Sequence, residues 1–329
     1  MSLLTKRIPY KPFEYPWMFE YFVQQNQMHW AAESVPLHTD VKDWQDLTNA
    51  ERNLLTQIFR LFTQSDVDVG AGYYNRYIPL FGGKAEARMM MGSFANMESI
   101  HQQAYSLLLD TVGMPEIEYQ AFSEYEEMSN KHEYINSIKT TKGDKYSIAK
   151  TLAVYSAFTE GLQLFSSFAI LLNFPRFGRM KGMGQIVTYS IRDESLHVEA
   201  MTRLFREFIQ ENREIWTDEF KKEIYDICRE MVKLEDKFLD LVFDMGDIQG
   251  LTKKEMYAYN RYIADRRLLQ LGLKTNYDQR ENPLGWLDEV LGVEHQNFFE
   301  GRATSYMKAG LRGRQDKINF TSMENEDGK

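Results

Sequence analysis

Two Glu-x-x-His tetrapeptides, Glu98–Ser99–Ile100–His101 and Glu194–Ser195–Leu196–His197, constrain this chain more than any other feature, and it holds no third copy. On a helix, residues three apart share a face, so each tetrapeptide can offer one carboxylate and one imidazole to a single point. Two such pairs, with a lone carboxylate from each of two other helices, make up the ligand set of di-iron and di-manganese carboxylate bundles. A chain built this way needs four long helices with ionisable residues pointing inward.

The rest of the sequence can supply them. Among 329 residues there are only 20 Gly and 8 Pro, and they cluster at breaks such as Phe81–Gly82–Gly83, Gly113–Met114–Pro115 and Asn282–Pro283. Between the breaks, apolar residues recur at three and four spacings with little alternation, so the expected class is all-α. A composition that is 43% hydrophobic and 14% aromatic can build a substantial core. The formal net charge of -9 argues against nucleic acid or an anionic membrane as a partner. A single cysteine, Cys228, rules out a cysteine-cluster metal site or a dithiol pair within the chain. No signal peptide is expected, because Met1 to Tyr15 carries Lys6, Arg7 and Lys11 but no apolar run. Leu152 to Phe174 is apolar enough to suggest a membrane span, but a carboxylate at its middle, Glu160, is costly in lipid. It is read instead as the buried central helix of a soluble, cytoplasmic protein.

Three stripes at helical spacing place ionisable residues on faces that should be buried. The first holds Met91, Phe94, Glu98, His101, Tyr105 and Leu108; the second Ala153, Ala157, Glu160, Leu164 and Phe168; the third Ile186, Val187, Glu194, His197 and Met201. A buried carboxylate is expensive unless a metal or an arginine partners it. A fourth helix, from Asn53 to about Tyr77, offers Asp66 and Asp68, which point nearly opposite ways. Asp66 shares a stripe with Ile58, Phe62, Val69 and Tyr73 and is favoured over Asp68, which falls with Leu61, Gln64 and Ala71.

Asp66 and Glu98 are 32 residues apart and Glu160 and Glu194 are 34 apart, separations that fit two antiparallel helical hairpins. The 62 residues from Glu98 to Glu160 leave room for a long crossover. Two hairpins joined by one crossover is the ferritin-like topology. The expected architecture is therefore a ferritin-like helical bundle with additional helices over residues 1–311. A flexible, polar tail at 312–329 would follow, disordered until it binds a partner. One Glu-x-x-His alone means little, since such surface pairs are common. Two copies with two further inward carboxylates would carry several uncompensated desolvation penalties without a metal. Oxygen-rich donors with two imidazoles suit Fe or Mn better than Zn.

The stretch Phe94–Ala95–Asn96–Met97–Glu98–Ser99–Ile100–His101–Gln102–Gln103–Ala104–Tyr105–Ser106 closely resembles the metal-site helix of class I ribonucleotide reductase small subunits. Ser190–Ile191–Arg192–Asp193–Glu194–Ser195–Leu196–His197 does so too. The likeness runs from Trp30–Ala31–Ala32–Glu33 to Phe298–Phe299–Glu300–Gly301–Arg302–Ala303–Thr304–Ser305–Tyr306. It implies a radical-generating subunit of the enzyme that reduces ribonucleotides to deoxyribonucleotides for DNA replication. Asp66, Glu98 and His101 would hold one metal and Glu160, Glu194 and His197 the other, with Glu98 and Glu194 as bridges. The implied cofactor is a dinuclear centre, Fe/Fe first, with Mn/Mn or Mn/Fe as alternatives.

By the same resemblance Tyr105 matches the radical-bearing tyrosine, although its periodicity alone reads as an ordinary core residue. Trp30 and Asp193 match a relay that ends on His101; without the resemblance they read as a packing anchor and a partner of Arg192. Tyr306 matches the tail tyrosine that passes the oxidising equivalent to a large subunit. Docking of that subunit on the tail, a homodimer and a possible flavoprotein activator are implied partners. Ser190 departs from the aliphatic residue expected there, and its hydroxyl could admit water or hydrogen-bond a ligand. No glycine-rich phosphate loop is present, as suits a subunit whose nucleotide site lies elsewhere. Two rivals stand beside it: a di-metal oxidase or hydroxylase, which would share all six ligands but has no use for Trp30, Asp193, Tyr306 and a partner-binding tail together, and a non-catalytic helical metal-storage or scaffold protein, with storage implying a high metal load and no radical.

Overall fold

The computed structural model describes residues 2–291, apart from the side chain of Asp66; Tyr306 and the expected tail lie outside them. The chain divides into compact units Met1–Leu284 and Gly285–Lys329, and every helix below belongs to the first. Among the described residues there is no β-strand. No helix there is long and apolar enough to cross a membrane.

Helix α1 (Pro16–Gln27) starts with proline, where no backbone N–H is needed. Helix α2 (Asn49–Gly72) begins earlier than its apolar periodicity suggests, because Thr48 and Glu51 form a reciprocal capping box. Its end widens into a π-helical turn, Tyr73–Tyr77. Helix α3 (Ala85–Val112) stops at Gly113, whose φ of 74° suits glycine. Helix α4 (Glu126–Ser137) lies in the crossover. The apolar stretch then forms α5 (Lys145–Ala153), a π-helical segment Val154–Gln163, and α6 (Leu164–Arg176). Helices α7 (Lys181–Glu211), α8 (Asp218–Val242) and α9 (Lys253–Gln270) complete the unit.

Helix α2 packs along α3, and α7 along the π segment and α6, which gives the two expected hairpins. Contacts between α3 and α7 join them into one core; α1 covers α3 and α7, while α8 and α9 cover the π segment. Helix α7 is anchored at its start by buried Asp40, whose carboxylate accepts from the N–H of Gly182 (2.9 Å) and Met183 (2.6 Å). A side chain at Gly182 would press on the Pro36 carbonyl, 3.0 Å away. The crossover is pinned to α8 by Lys131 and Glu235, paired at 2.5 Å with both side chains buried. Burial pushes the Lys131 ammonium down and the Glu235 carboxyl up from their ordinary values.

The π segment Val154–Gln163, like the turn Tyr73–Tyr77, departs from the regular helical spacing expected of it. Every residue of Val154–Gln163 is buried, so no amphipathic pattern reports how the backbone winds. Buried Arg267 of α9 donates from Nε to the Gly161 carbonyl at 2.7 Å and stacks on Phe165, 4.5 Å from the ring centre. A Cβ at position 161 would lie 2.6 Å from that Nε, so glycine is what lets the arginine reach the backbone.

Candidate metal centre

Helix α3 presents Glu98 and His101, and α7 presents Glu194 and His197; all four are at most 1% exposed. Each carboxylate reaches both imidazoles. Glu98 Oε2 lies 3.4 Å from His101 Nδ1 and its Oε1 3.0 Å from His197 Nδ1. Glu194 Oε1 lies 3.3 Å from His101 Nδ1 and its Oε2 3.6 Å from His197 Nδ1. Donor atoms of Glu98, Glu194 and His197 all fall within 4.8 Å of one another. Close as these atoms are, they are not aligned for hydrogen bonding. Both Glu98 oxygens, Glu194 Oε2 and His197 Nδ1 are buried without a hydrogen-bond partner. Orphaned lone pairs gathered around one point are costly by themselves and fit a cation well. Hard oxygens with imidazole nitrogens are a donor set suited to Fe or Mn.

With no metal between them, the carboxylates favour a proton on each imidazole. Burial alone would strip His197, but Glu194 and Glu98 beside it raise its imidazole to about 10. His101 is likewise opposed by burial and raised well above its ordinary value by Asp193, Glu194 and Glu98. Burial disfavours the charged form of Glu98, yet His101 and His197 bring its carboxyl down to about 2. A metal bound here must displace those imidazole protons.

The outer nitrogens of both imidazoles are held from behind. His101 Nε2 is 3.2 Å from Asp193 Oδ2, which also accepts from Trp30 Nε1 at 2.8 Å. Gln25 of α1 donates from Nε2 to Asp193 Oδ1 (3.2 Å), and its Oε1 lies 3.0 Å from His197 Nε2. One glutamine thus links both histidines. Sequence reading missed it, although the signal is there: Gln25 is the polar member of a buried α1 face that also holds Trp17, Met18 and Tyr21.

The remaining candidates stand around this cluster. Tyr105 is buried, with Phe62 edge-on at 4.9 Å and its hydroxyl 3.4 Å from Ser190 Oγ. The Ser190 hydroxyl therefore meets the tyrosine. A cavity of about 350 Å³ abuts Tyr105, walled by Phe59, Phe62, Thr63, Val67 and Leu109 among others. Glu160, on the π segment, is buried but stands outside the closest group of donors. Its Oε2 accepts from the hydroxyl of Tyr73 at 3.1 Å, a second residue the sequence reading placed on a stripe without giving it a role. Burial and the charge of Glu194 push the Glu160 carboxyl well above its ordinary range. Asp68 is engaged elsewhere, 2.6 Å from His132 Nδ1 on α4 and accepting from Gln64 at 3.1 Å. The side chain of Asp66, the favoured alternative, lies outside the described residues, as does Tyr306.

Facing helices that bring carboxylates and imidazoles together in a buried core define the class of carboxylate–histidine metal-binding bundles. Within that class, the chain belongs to the family of ribonucleotide reductase small chains, whose pattern it matches over residues 7–283, and it functions as the small subunit of that oxidoreductase. It is 43% identical, across 97% of this chain and 99% of the other, to a probable ribonucleoside-diphosphate reductase small subunit of Invertebrate iridescent virus 6. The ribonucleotide reductase R2 subunit of Clostridium botulinum superposes with a TM-score of 0.80 at 25% identity, over 87% of this chain and 91% of that one. The Streptococcus sanguinis dimanganese(II)-NrdF shares the fold, with a TM-score of 0.72 at 21% identity over 85% of this chain and 96% of that one.

Proposed function

We propose that this small subunit houses a dinuclear metal centre and stores an oxidising equivalent on Tyr105 for delivery to a large subunit. Asp66, Glu98 and His101 would hold one ion, Glu160, Glu194 and His197 the other, with Glu98 and Glu194 shared. The observation that carries this reading is that both shared carboxylates span both imidazole Nδ1 atoms while their own oxygens go largely unsatisfied. Fe/Fe is the pair favoured by the resemblance, with Mn/Mn or Mn/Fe open to the same donors. The bound pair supplies one-electron oxidising power that side chains lack.

The protein does the rest. Asp193 and Gln25 fix the tilt of the two imidazoles and raise their basicity. Phe62 packs edge-on against the Tyr105 ring, and Ser190 gives its hydroxyl a partner. Trp30, Asp193 and His101 form an unbroken hydrogen-bonded path between an oxidisable indole and the cluster. A storage protein has no use for such a path. Tyr306 and residues 312–329 are assigned to the large-subunit contact, and the working unit to a homodimer. The single buried cysteine, Cys228, is in keeping with a reducing, cytoplasmic setting.

Electron paramagnetic resonance on protein loaded with Fe(II), or separately with Mn(II), and exposed to air tests the reading. An organic radical lost in Tyr105→Phe is the expected result. A metal-centred signal indifferent to that substitution would move the stored equivalent off Tyr105. If air oxidises neither loaded form, an activating flavoprotein becomes the required partner.

A further inference from the structure

Trp30 stands between two other rings. His101 stacks with it at 6.1 Å between centroids, and Tyr189 of α7 leans on it at 5.2 Å. Tyr189 and Asp193 are one turn apart on α7, so both reach the indole. Only 6% of Trp30 is exposed, whereas Tyr189 is partly open to solvent. The path from the cluster through Asp193 and Trp30 thus opens to water at a phenol. That phenol oxygen accepts from Gln185 Nε2 at 2.8 Å, a bond that a phenoxyl oxygen, an acceptor only, can keep. The Arg192 guanidinium lies 5.2 Å from the centre of the same ring. A cation so placed opposes positive charge on the ring, so the phenol gives up an electron readily only if its proton leaves too.

We propose that Tyr189 is the surface outlet of the Trp30 path, a second oxidisable residue that returns an electron to the indole. This rests on the radical-generating reading given above. Once Trp30 has lost one electron along Asp193 and His101 to the oxidised metal pair, Tyr189 gives one electron to the indole cation. Its hydroxyl proton passes to water, and the products are neutral Trp30 and a neutral phenoxyl radical on Tyr189. Electron transfer falls off steeply with distance, so a ring in contact with the indole is the favoured donor. A reductant or an oxidisable partner outside the protein would then exchange electrons with Tyr189 and not with shielded Trp30.

The test is freeze-quenched electron paramagnetic resonance on full-length Tyr105→Phe protein, loaded with Fe(II) and mixed with oxygenated buffer. Iron oxidation is read optically in the same samples. Tyrosine, or in a parallel sample tryptophan, carries ring deuterium, which narrows only the signal of the labelled residue. Tyr105→Phe is expected to give a radical that narrows with labelled tyrosine. Adding Tyr189→Phe, which keeps a ring packed on Trp30, should abolish that radical and leave one that narrows with labelled tryptophan. Adding Trp30→Phe instead should abolish the tyrosyl signal as well, because the route runs through the indole. With iron oxidised, the outlet is overturned if tyrosine labelling narrows nothing in Tyr105→Phe, or if the tyrosyl signal survives Tyr189→Phe or Trp30→Phe; the dinuclear reading then still stands. Iron that neither oxygen nor hydrogen peroxide oxidises overturns both.

Discussion

Lys131→Met should be among the most damaging single changes outside the metal centre. Lys131 and Glu235 are 3% and 0% exposed and 2.5 Å apart. The ammonium also sits 4.4 Å over the Phe238 ring, while Glu235 Oε1 already lacks a partner. Removing the lysine strands a carboxylate in the core, for which a loss of about 3–5 kcal/mol is expected. For a chain of this size that corresponds to a fall in Tm on the order of 10 °C. The loss should depend on pH. Burial raises the folded-state pKa of Glu235, and the variant loses the opposing pull of Lys131. At pH values below the unfolded pKa of about 4.3 the carboxyl is protonated in both states and no charge is stranded. The penalty then grows as pH rises towards the folded value, so urea unfolding should show the variant nearer to wild type at pH 5 than at pH 8. The double variant Lys131→Met/Glu235→Leu should return to within about 1 kcal/mol of wild type, because a well-packed apolar pair can replace a buried ion pair. A single variant that loses under about 1 kcal/mol, or a double variant as unstable as the single, would refute the reasoning.

Three further outcomes are expected. Asp40→Ala removes the buried cap from two N–H groups of α7 and should cost about 2 kcal/mol in urea unfolding without changing metal stoichiometry. Asp193→Asn keeps the shape but weakens the support behind His101 and should lower metal affinity at least about tenfold in chelator competition, with Trp30 emission altered. Gly161→Ala puts a methyl group 2.6 Å from Arg267 Nε and breaks the bond to the Gly161 carbonyl. It should destabilise the protein by about 1–3 kcal/mol in thermal melts, and a melt matching wild type would show that the arginine is not needed there.

The parts of the site legible in the sequence were those with short, local geometry. Glu98 and His101, like Glu194 and His197, are three apart on regular helices, so spacing alone put each pair on one buried face. The hairpins followed from the distances between carboxylates. Contacts made across the fold were less legible. Gln25 meets Asp193 and His197 some 170 residues away in sequence, and no local pattern encodes that meeting. Tyr73 was visible only as one aromatic on a stripe, since its bond to Glu160 joins two π turns that regular helical spacing does not report. Arg267 lies in the last helix of the bundle, where its reach into the Gly161 carbonyl depends on a glycine more than a hundred positions earlier. The roles proposed for Trp30, Asp193 and Tyr105 rest on the resemblance; physically each also reads as an ordinary core residue.

The π segment has a consequence for how this chain can change in length over generations. Its flanks are both fixed: α5 begins at a capped turn, with Asp144 accepting from the Tyr146 N–H, and α6 is buried through Phe174. A residue gained or lost between them cannot escape into a loop. In an α-helix each residue turns the chain by about 100°, so a deletion within Val154–Gln163 would either rotate Glu160 off the core or be taken up by tightening the wide turns. Lineages that differ by one residue here should therefore differ in winding rather than outline, and an alignment that places the gap in a neighbouring loop would misassign the carboxylate facing Tyr73.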